Sequence, residues 1–200
     1  MGSGADSEMI ISRDRDKLLN AMIFFVKNTK HCHTLKLFKL LNFLDFEHFR
    51  QTGKTVTGLR YVAWKQGPAP NELWHEIQRG GGDDMQKAIQ FVEKRDALTA
   101  QLQLRELRPK REFDGSFFSK RELEIMKSLA YVFDEINAND MSELSHHKNL
   151  PWKRVFGKGE GEGQEISPML SLDSPAIIGN SPPSLEKDEI QFRIDMRAGG

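Results

Sequence analysis

With 200 residues and a mass of 22.9 kDa, the chain is long enough for one ordinary domain, or one domain and a tail. Lysine plus arginine and aspartate plus glutamate both number 29, so the formal net charge is zero. That excludes nucleic-acid binding through bulk charge and excludes a disordered polyelectrolyte. The single cysteine, Cys32, excludes an internal disulfide and an all-cysteine zinc site, and suits a reducing cytoplasm.

No apolar run approaches the roughly 20 residues a membrane span requires. The start, Met1-Gly2-Ser3-Gly4-Ala5-Asp6, lacks the basic-then-apolar order of a secretory signal. The expectation is a soluble, cytoplasmic protein without a membrane partner, with residues 1–13 as a flexible tail. Leu18, Leu19, Met22, Ile23 and Val26 then repeat at helical spacing and predict a helix from Asp14 to Asn28, capped by Ser12 or Asp14.

The most apolar stretch follows. Leu35, Leu37, Phe38, Leu40, Leu41, Phe43, Leu44 and Phe46 leave only Lys36, Lys39, Asn42 and Asp45 as polar positions, spaced by three. A helix apolar nearly all round is a central one, so Leu35 to Arg50 is predicted as the spine of the core, with Thr34 as cap and Gly53 as its left-handed end. Val56 to Trp64 is rich in β-formers. Gly67-Pro68-Ala69-Pro70 is expected to forbid regular structure. Asn71 caps a short helix from Glu72 to Gln78, stopped by Gly80-Gly81-Gly82.

Asp83 with Gln86 reads as a capping box opening a helix that carries Met85, Ala88, Ile89 and Val92 to about Arg95. A strand around Gln101 to Leu107 is expected to pair with the one near Tyr61. Ser119 with Glu122 is a second capping box, opening a helix with Leu123, Met126, Leu129, Ala130, Phe133 and Ile136 on one face. Gly157 to Gly163 reads as a low-complexity, flexible linker. Beyond it lie two short extended pieces and a helix from Leu185 to Met196. The fold class is mainly α with a small antiparallel sheet (α+β): a compact single domain over residues 14–156, with an extended C-terminal tail over 157–200.

Spacing alone yields no catalytic constellation. Gly53-Lys54-Thr55 carries the last letters of a phosphate-binding loop, but His48 stands where the motif needs its first glycine, and a helix precedes it where a strand should. His31, Cys32 and His33 are potential metal ligands that lack a fourth partner, and their plainer reading is a polar link between helices. Asp45 and Glu47 are two apart and do not share a helix face. Arg105, Arg108, Lys110 and Arg111 form a basic cluster diluted by Glu106 and Glu112, better suited to an acidic protein partner than to nucleic acid. No cofactor is expected. Tyr61, Trp64, Lys65 and Trp74, on a Gly-Pro frame, together with Arg108, are the candidate partner-binding residues.

The order of segments carries more than any one of them. Leu37-Phe38-Lys39-Leu40-Leu41-Asn42-Phe43-Leu44-Asp45-Phe46 is followed by Gly53, Thr57 and Tyr61, then by Gly67-Pro68-Ala69-Pro70-Asn71-Glu72-Leu73. Phe118-Ser119, Glu122-Leu123, Leu144-Ser145-His146 and Pro151-Trp152 come later. The series resembles the Panacea domain, the SocA-like pan-antitoxin family of bacteria and their phages, over about residues 14–156. Lys39, Asp45, Gly67, Pro68, Pro70, His146 and Trp152 carry the motif. The resemblance implies a non-enzymatic antitoxin that neutralises a cognate protein toxin by direct contact. Toxins paired with the family include alarmone-synthetase-like enzymes and membrane-disrupting proteins. One member delivers its toxin to a ClpXP-type protease, which gives an adaptor as the alternative. A hydrolytic enzyme using His146 or His147 with Asp45, and a repressor of its own operon, are further alternatives.

Overall fold

A helix with a continuous apolar circumference is stable in water only when other elements enclose it. In the computed structural model this is the place of α2 (Thr34–Thr52), where every residue from Lys36 to Arg50 is buried. The structure describes residues 3–93, 105–137, 140–141 and 150–179, with the side chains of the first helix described from Asp14. Around α2 stand α1 (Ser3–Asn28), the hairpin β1 (Val62–Trp64) and β2 (Gly67–Ala69), α3 (Asn71–Gln78), α4 (Asp83–Ala88), and a second hairpin, β3 (Ile89–Glu93) with β4 (Arg105–Pro109). A 3-10 turn (Gly115–Phe117), α5 (Lys120–Phe133), α6 (Pro151–Phe156) and a second 3-10 turn (Pro168–Asp173) complete the described chain. The fold is α+β, as the sequence predicts.

Local signals place most helix ends. Gly53 adopts φ 70° and donates its N–H to the Phe49 carbonyl at 2.8 Å, ending α2 in the left-handed conformation that glycine tolerates. Ser119 and Glu122 form the expected reciprocal capping box of α5. Helices α2, α3 and α4 each begin one residue off the predicted cap, with His33, Pro70 and Gly82 in the capping position. α1, α2 and α5 pack together, with Phe43 and Phe133 at 5.3 Å between ring centres. Lys17 pairs with Glu122 at 2.6 Å across α1 and α5. Arg15 ties α1 to α3 and α4 through Glu76 and Asp84.

Several expectations are corrected. α1 starts at Ser3 rather than Asp14, because nothing between Ala5 and Asn28 breaks a helix. Ile89–Glu93 is a strand, not a helical continuation; it pairs with β4 instead of β4 pairing near Tyr61, so there are two separate two-stranded sheets. The apolar spacing of Met85 to Val92 fits both periods, and the available partner decides between them. Gly67–Ala69 is a strand despite Pro68. Pro68 faces Ala63, whose own N–H and carbonyl point the other way, to Gln164 and Gly163, so this position asks no N–H of proline. The predicted helix from Leu185 to Met196 lies outside the described residues.

The largest difference concerns the expected linker. Gly157–Gly163 is a folded turn that returns the chain to the outer edge of β1. Gly163 N–H donates to the Ala63 carbonyl at 2.8 Å, Ala63 N–H to Gln164 at 2.9 Å, and Ile166 N–H to Tyr61 at 2.8 Å. Ile166 is buried in the core, and the Pro168–Asp173 turn lies along α2. Within this turn Gly161 is buried with its Cα against the end of α6; a Cβ there would collide with the Val155 carbonyl oxygen. Gly161→Ala is therefore expected to lower the unfolding free energy by about 1–3 kcal/mol in chemical denaturation. Lys158→Ala, in the exposed part of the same turn, should stay within about 0.5 kcal/mol of the parent.

Candidate functional site

The polar residues of α2 recur every third position. Each step of three turns about 60° back around the helix axis, so successive members face different neighbours. Lys36, fully buried, donates to the carbonyls of Lys30 at 2.7 Å and Asp134 at 2.9 Å, closing the C-terminal end of α5. Lys39 donates to the Gln66 carbonyl at 2.9 Å. Asp45 collects four donors from one loop. Val56 N–H and Thr57 N–H reach its Oδ1, both at 2.7 Å; the Thr57 hydroxyl and the Tyr61 hydroxyl, the latter at 2.8 Å, reach its Oδ2. His48 donates to the Lys54 carbonyl at 2.7 Å.

These groups are deeply enclosed, and burial governs their ionisation. It raises the Asp45 carboxyl above its ordinary range, against the opposing pull of the Thr57, Tyr61 and Val56 donors. It raises the Tyr61 hydroxyl well above the usual phenol range, with the Asp45 charge adding to the effect. Burial lowers Lys39 to about 8. It also pushes the Cys32 thiol up to about 11, so Cys32 is a poor nucleophile at neutral pH. With all its acceptor positions taken and no exposed surface, Asp45 anchors a loop and is out of reach of a substrate. Among the described residues no group of three or more His, Cys, Asp or Glu is placed to hold a metal ion.

Of the predicted motif residues, Lys39, Gly67, Pro68, Pro70 and Trp152 meet at the β1–β2 turn, Trp64-Lys65-Gln66-Gly67, whereas Asp45 holds the loop 56–61. Gly67 takes φ 116°, closed to most side chains, and Pro68 and Pro70 are buried behind it. Lys39 holds the Gln66 carbonyl from below. Trp152, on α6, donates its indole N–H to the Trp64 carbonyl at 2.8 Å from the side. Two groups of aromatic contacts support the same turn. Phe38 meets Trp74 edge-on at 6.3 Å, Trp74 meets Trp64 at 5.4 Å and 90°, and Trp152 stacks on Phe156 at 4.6 Å. The result is a short rigid tip with Lys65 exposed at its end and Trp64 and Trp74 half-buried beside it.

Of the other candidates, Tyr61 is only 1 % exposed and spends its hydroxyl on Asp45, so in this fold it offers no side-chain surface to a partner. Arg108 is exposed, but on the separate β3–β4 hairpin and beside Glu106 at 3.4 Å. His146 and His147 lie outside the described residues. Two features escaped the sequence reading. Glu47 and Arg50, buried on α2, grip the segment after Gly161. Tyr131, 87 % exposed on α5, reads in sequence as an ordinary helix residue.

The arrangement is a small α+β scaffold that steadies one surface turn and buries the charged residues of α2. A family model described as "Antitoxin SocA-like, Panacea domain" matches residues 37–153, and the chain belongs to this family. The match takes in α2, the β1–β2 hairpin and Trp152. Comparison with curated proteins and with solved structures finds no match. No helix among the described residues is long and apolar enough to cross a membrane.

Two outcomes follow from the buried row. A lysine whose folded-state pKa lies below its unfolded value opposes folding while charged, and that opposition is relieved as pH rises through the window between the two. For Lys39 the window runs from about 8 to 10.5. The unfolding free energy of the parent relative to Lys39→Met should rise across it by up to about 3 kcal/mol, read from denaturation at each pH. Tyr61→Phe removes one donor from the buried Asp45 and should cost about 1.5–3 kcal/mol by the same measurement.

Proposed function

We propose that the chain is an antitoxin that neutralises its cognate toxin by direct protein–protein contact, with the β1–β2 tip at the centre of the contact surface. Family membership is the observation that carries this reading, and the convergence of Lys39, Gly67, Pro68, Pro70 and Trp152 on one turn supports the location. A neutralising module needs a firm surface that covers a partner, and no reacting group. Half-buried tryptophans are the residue type that anchors such contacts, and the exposed Lys65 beside them supplies a charge at the rim. A pre-formed tip also loses little freedom on binding.

The test is to express the product of the adjacent reading frame alone and together with this chain, and to measure growth and co-purification. Toxicity should appear only when the neighbour is alone. Rescue should persist in a host lacking ClpXP, which separates direct neutralisation from delivery to a protease. A neighbour that is harmless alone would sink the reading. Within a rescued pair, Lys65→Glu should weaken binding roughly tenfold or more while leaving the unfolding free energy within about 0.5 kcal/mol of the parent.

A further inference from the structure

Residues 163–177 lie along one face of the rest of the molecule. They pair antiparallel with the outer edge of β1, cross the Glu47 and Arg50 positions of α2, and press Ile166 into the core. The groove that receives them is made of Glu47, Arg50, Tyr61, Ala63, Pro68 and Trp152, all within the range matched by the family model. The occupant lies wholly outside that range.

The contacts are of a kind that another peptide can reproduce. Ala63 exchanges N–H and carbonyl bonds with Gln164 and Gly163, and Tyr61 accepts from the Ile166 N–H. Arg50 donates to the Ser174 carbonyl at 2.8 Å, and Glu47 accepts from the Ile177 N–H at 3.4 Å. Every one of these bonds engages the main chain of the segment. Its buried hydroxyls are satisfied internally, Ser171 by Pro168 and Ser174 by Leu170. Main-chain pairing at a sheet edge, with a pocket for one aliphatic side chain, is how sheets accept an added strand.

The fit is incomplete. A cavity of about 20 Å³ remains under the segment, bounded by Asn42, Phe43, Pro68, Trp152, Ser174 and Ile177. The Asn42 side-chain N–H₂, buried at this seam, has no hydrogen-bond partner among the described residues. An amide in that state is stabilised by any occupant that brings it an acceptor.

We infer that the outer edge of β1 and the adjoining face of α2 form a groove for a polypeptide segment that pairs with β1 and then coils into a 3-10 turn along α2, filled in this chain by its own residues 163–177 and entered in exchange by a segment of the partner protein. The fitting segment carries an aliphatic residue at the Ile166 position, small residues at the Ser171 and Ser174 positions, and an acceptor for Asn42. Only the identity of the partner rests on the antitoxin reading.

The probe is a labelled synthetic peptide of residues 161–179. A protease site placed in the exposed turn at residues 158–160 of the full chain allows it to be nicked after folding. The nicked protein should keep its tryptophan fluorescence and near-ultraviolet dichroism, and should take up one peptide per chain as its own segment leaves. The intact protein should take up none, and an Ile166→Asp peptide should bind at least roughly tenfold more weakly. Loss of the tertiary signal as the segment departs would overturn the inference, since the segment would then be core and not ligand. Equal uptake by intact and nicked protein, or equal binding of the Ile166→Asp peptide, would overturn it too. None of these outcomes bears on growth rescue, so the groove and the antitoxin reading stand or fall separately.

Discussion

A polar side chain on a helix enclosed from every direction must find its partner in whatever covers it, because water is not available there. This constraint organises the molecule. The row Lys36, Lys39, Asp45 and His48 winds around α2, and each member fastens a different covering segment: the end of α5, the β1–β2 turn, the loop 56–61, and the turn after Gly53. The row therefore fixes which loop lies where. Asn42, whose side-chain nitrogen has no partner among the described residues, sits at the seam of a segment the family pattern does not include.

How much of this could be read from the residues depended on the range of the forces involved. The spine helix, the Gly53 terminus and the Ser119–Glu122 capping box rest on interactions within four residues, and the sequence announces them. Strand pairing does not work that way. Ile89–Glu93 has apolar spacing that suits helix or strand, and only β4, across an intervening segment, settles it. The glycine run was misleading for a related reason. Its composition matches that of flexible chain, yet Gly161 is required where backbone passes against the Val155 carbonyl, a demand that exists only once α6 and the turn are in place.

The site was legible in part. Lys39, the Gly67–Pro70 run and Trp152 stand far apart in sequence and meet at one turn, which explains why their order was informative when no single piece was. Aromatic character alone could not distinguish Tyr61 from Trp64 and Trp74. The Tyr61 hydroxyl found a buried carboxylate sixteen positions away and turned inward, whereas the two indoles lie against each other at the rim. Electrostatics in this fold thus decides which aromatics remain on the surface.

Tyr61 has one further property. Its hydroxyl holds the Asp45 carboxyl group while its backbone carbonyl accepts the Ile166 N–H of the segment that closes the β1 edge. A single residue is thereby shared by the buried Asp45 and by the segment that closes the edge of β1. The side chain and the main chain of one residue thus join the floor of the protein to its margin, and the covering segment is laid on a position already fixed from within.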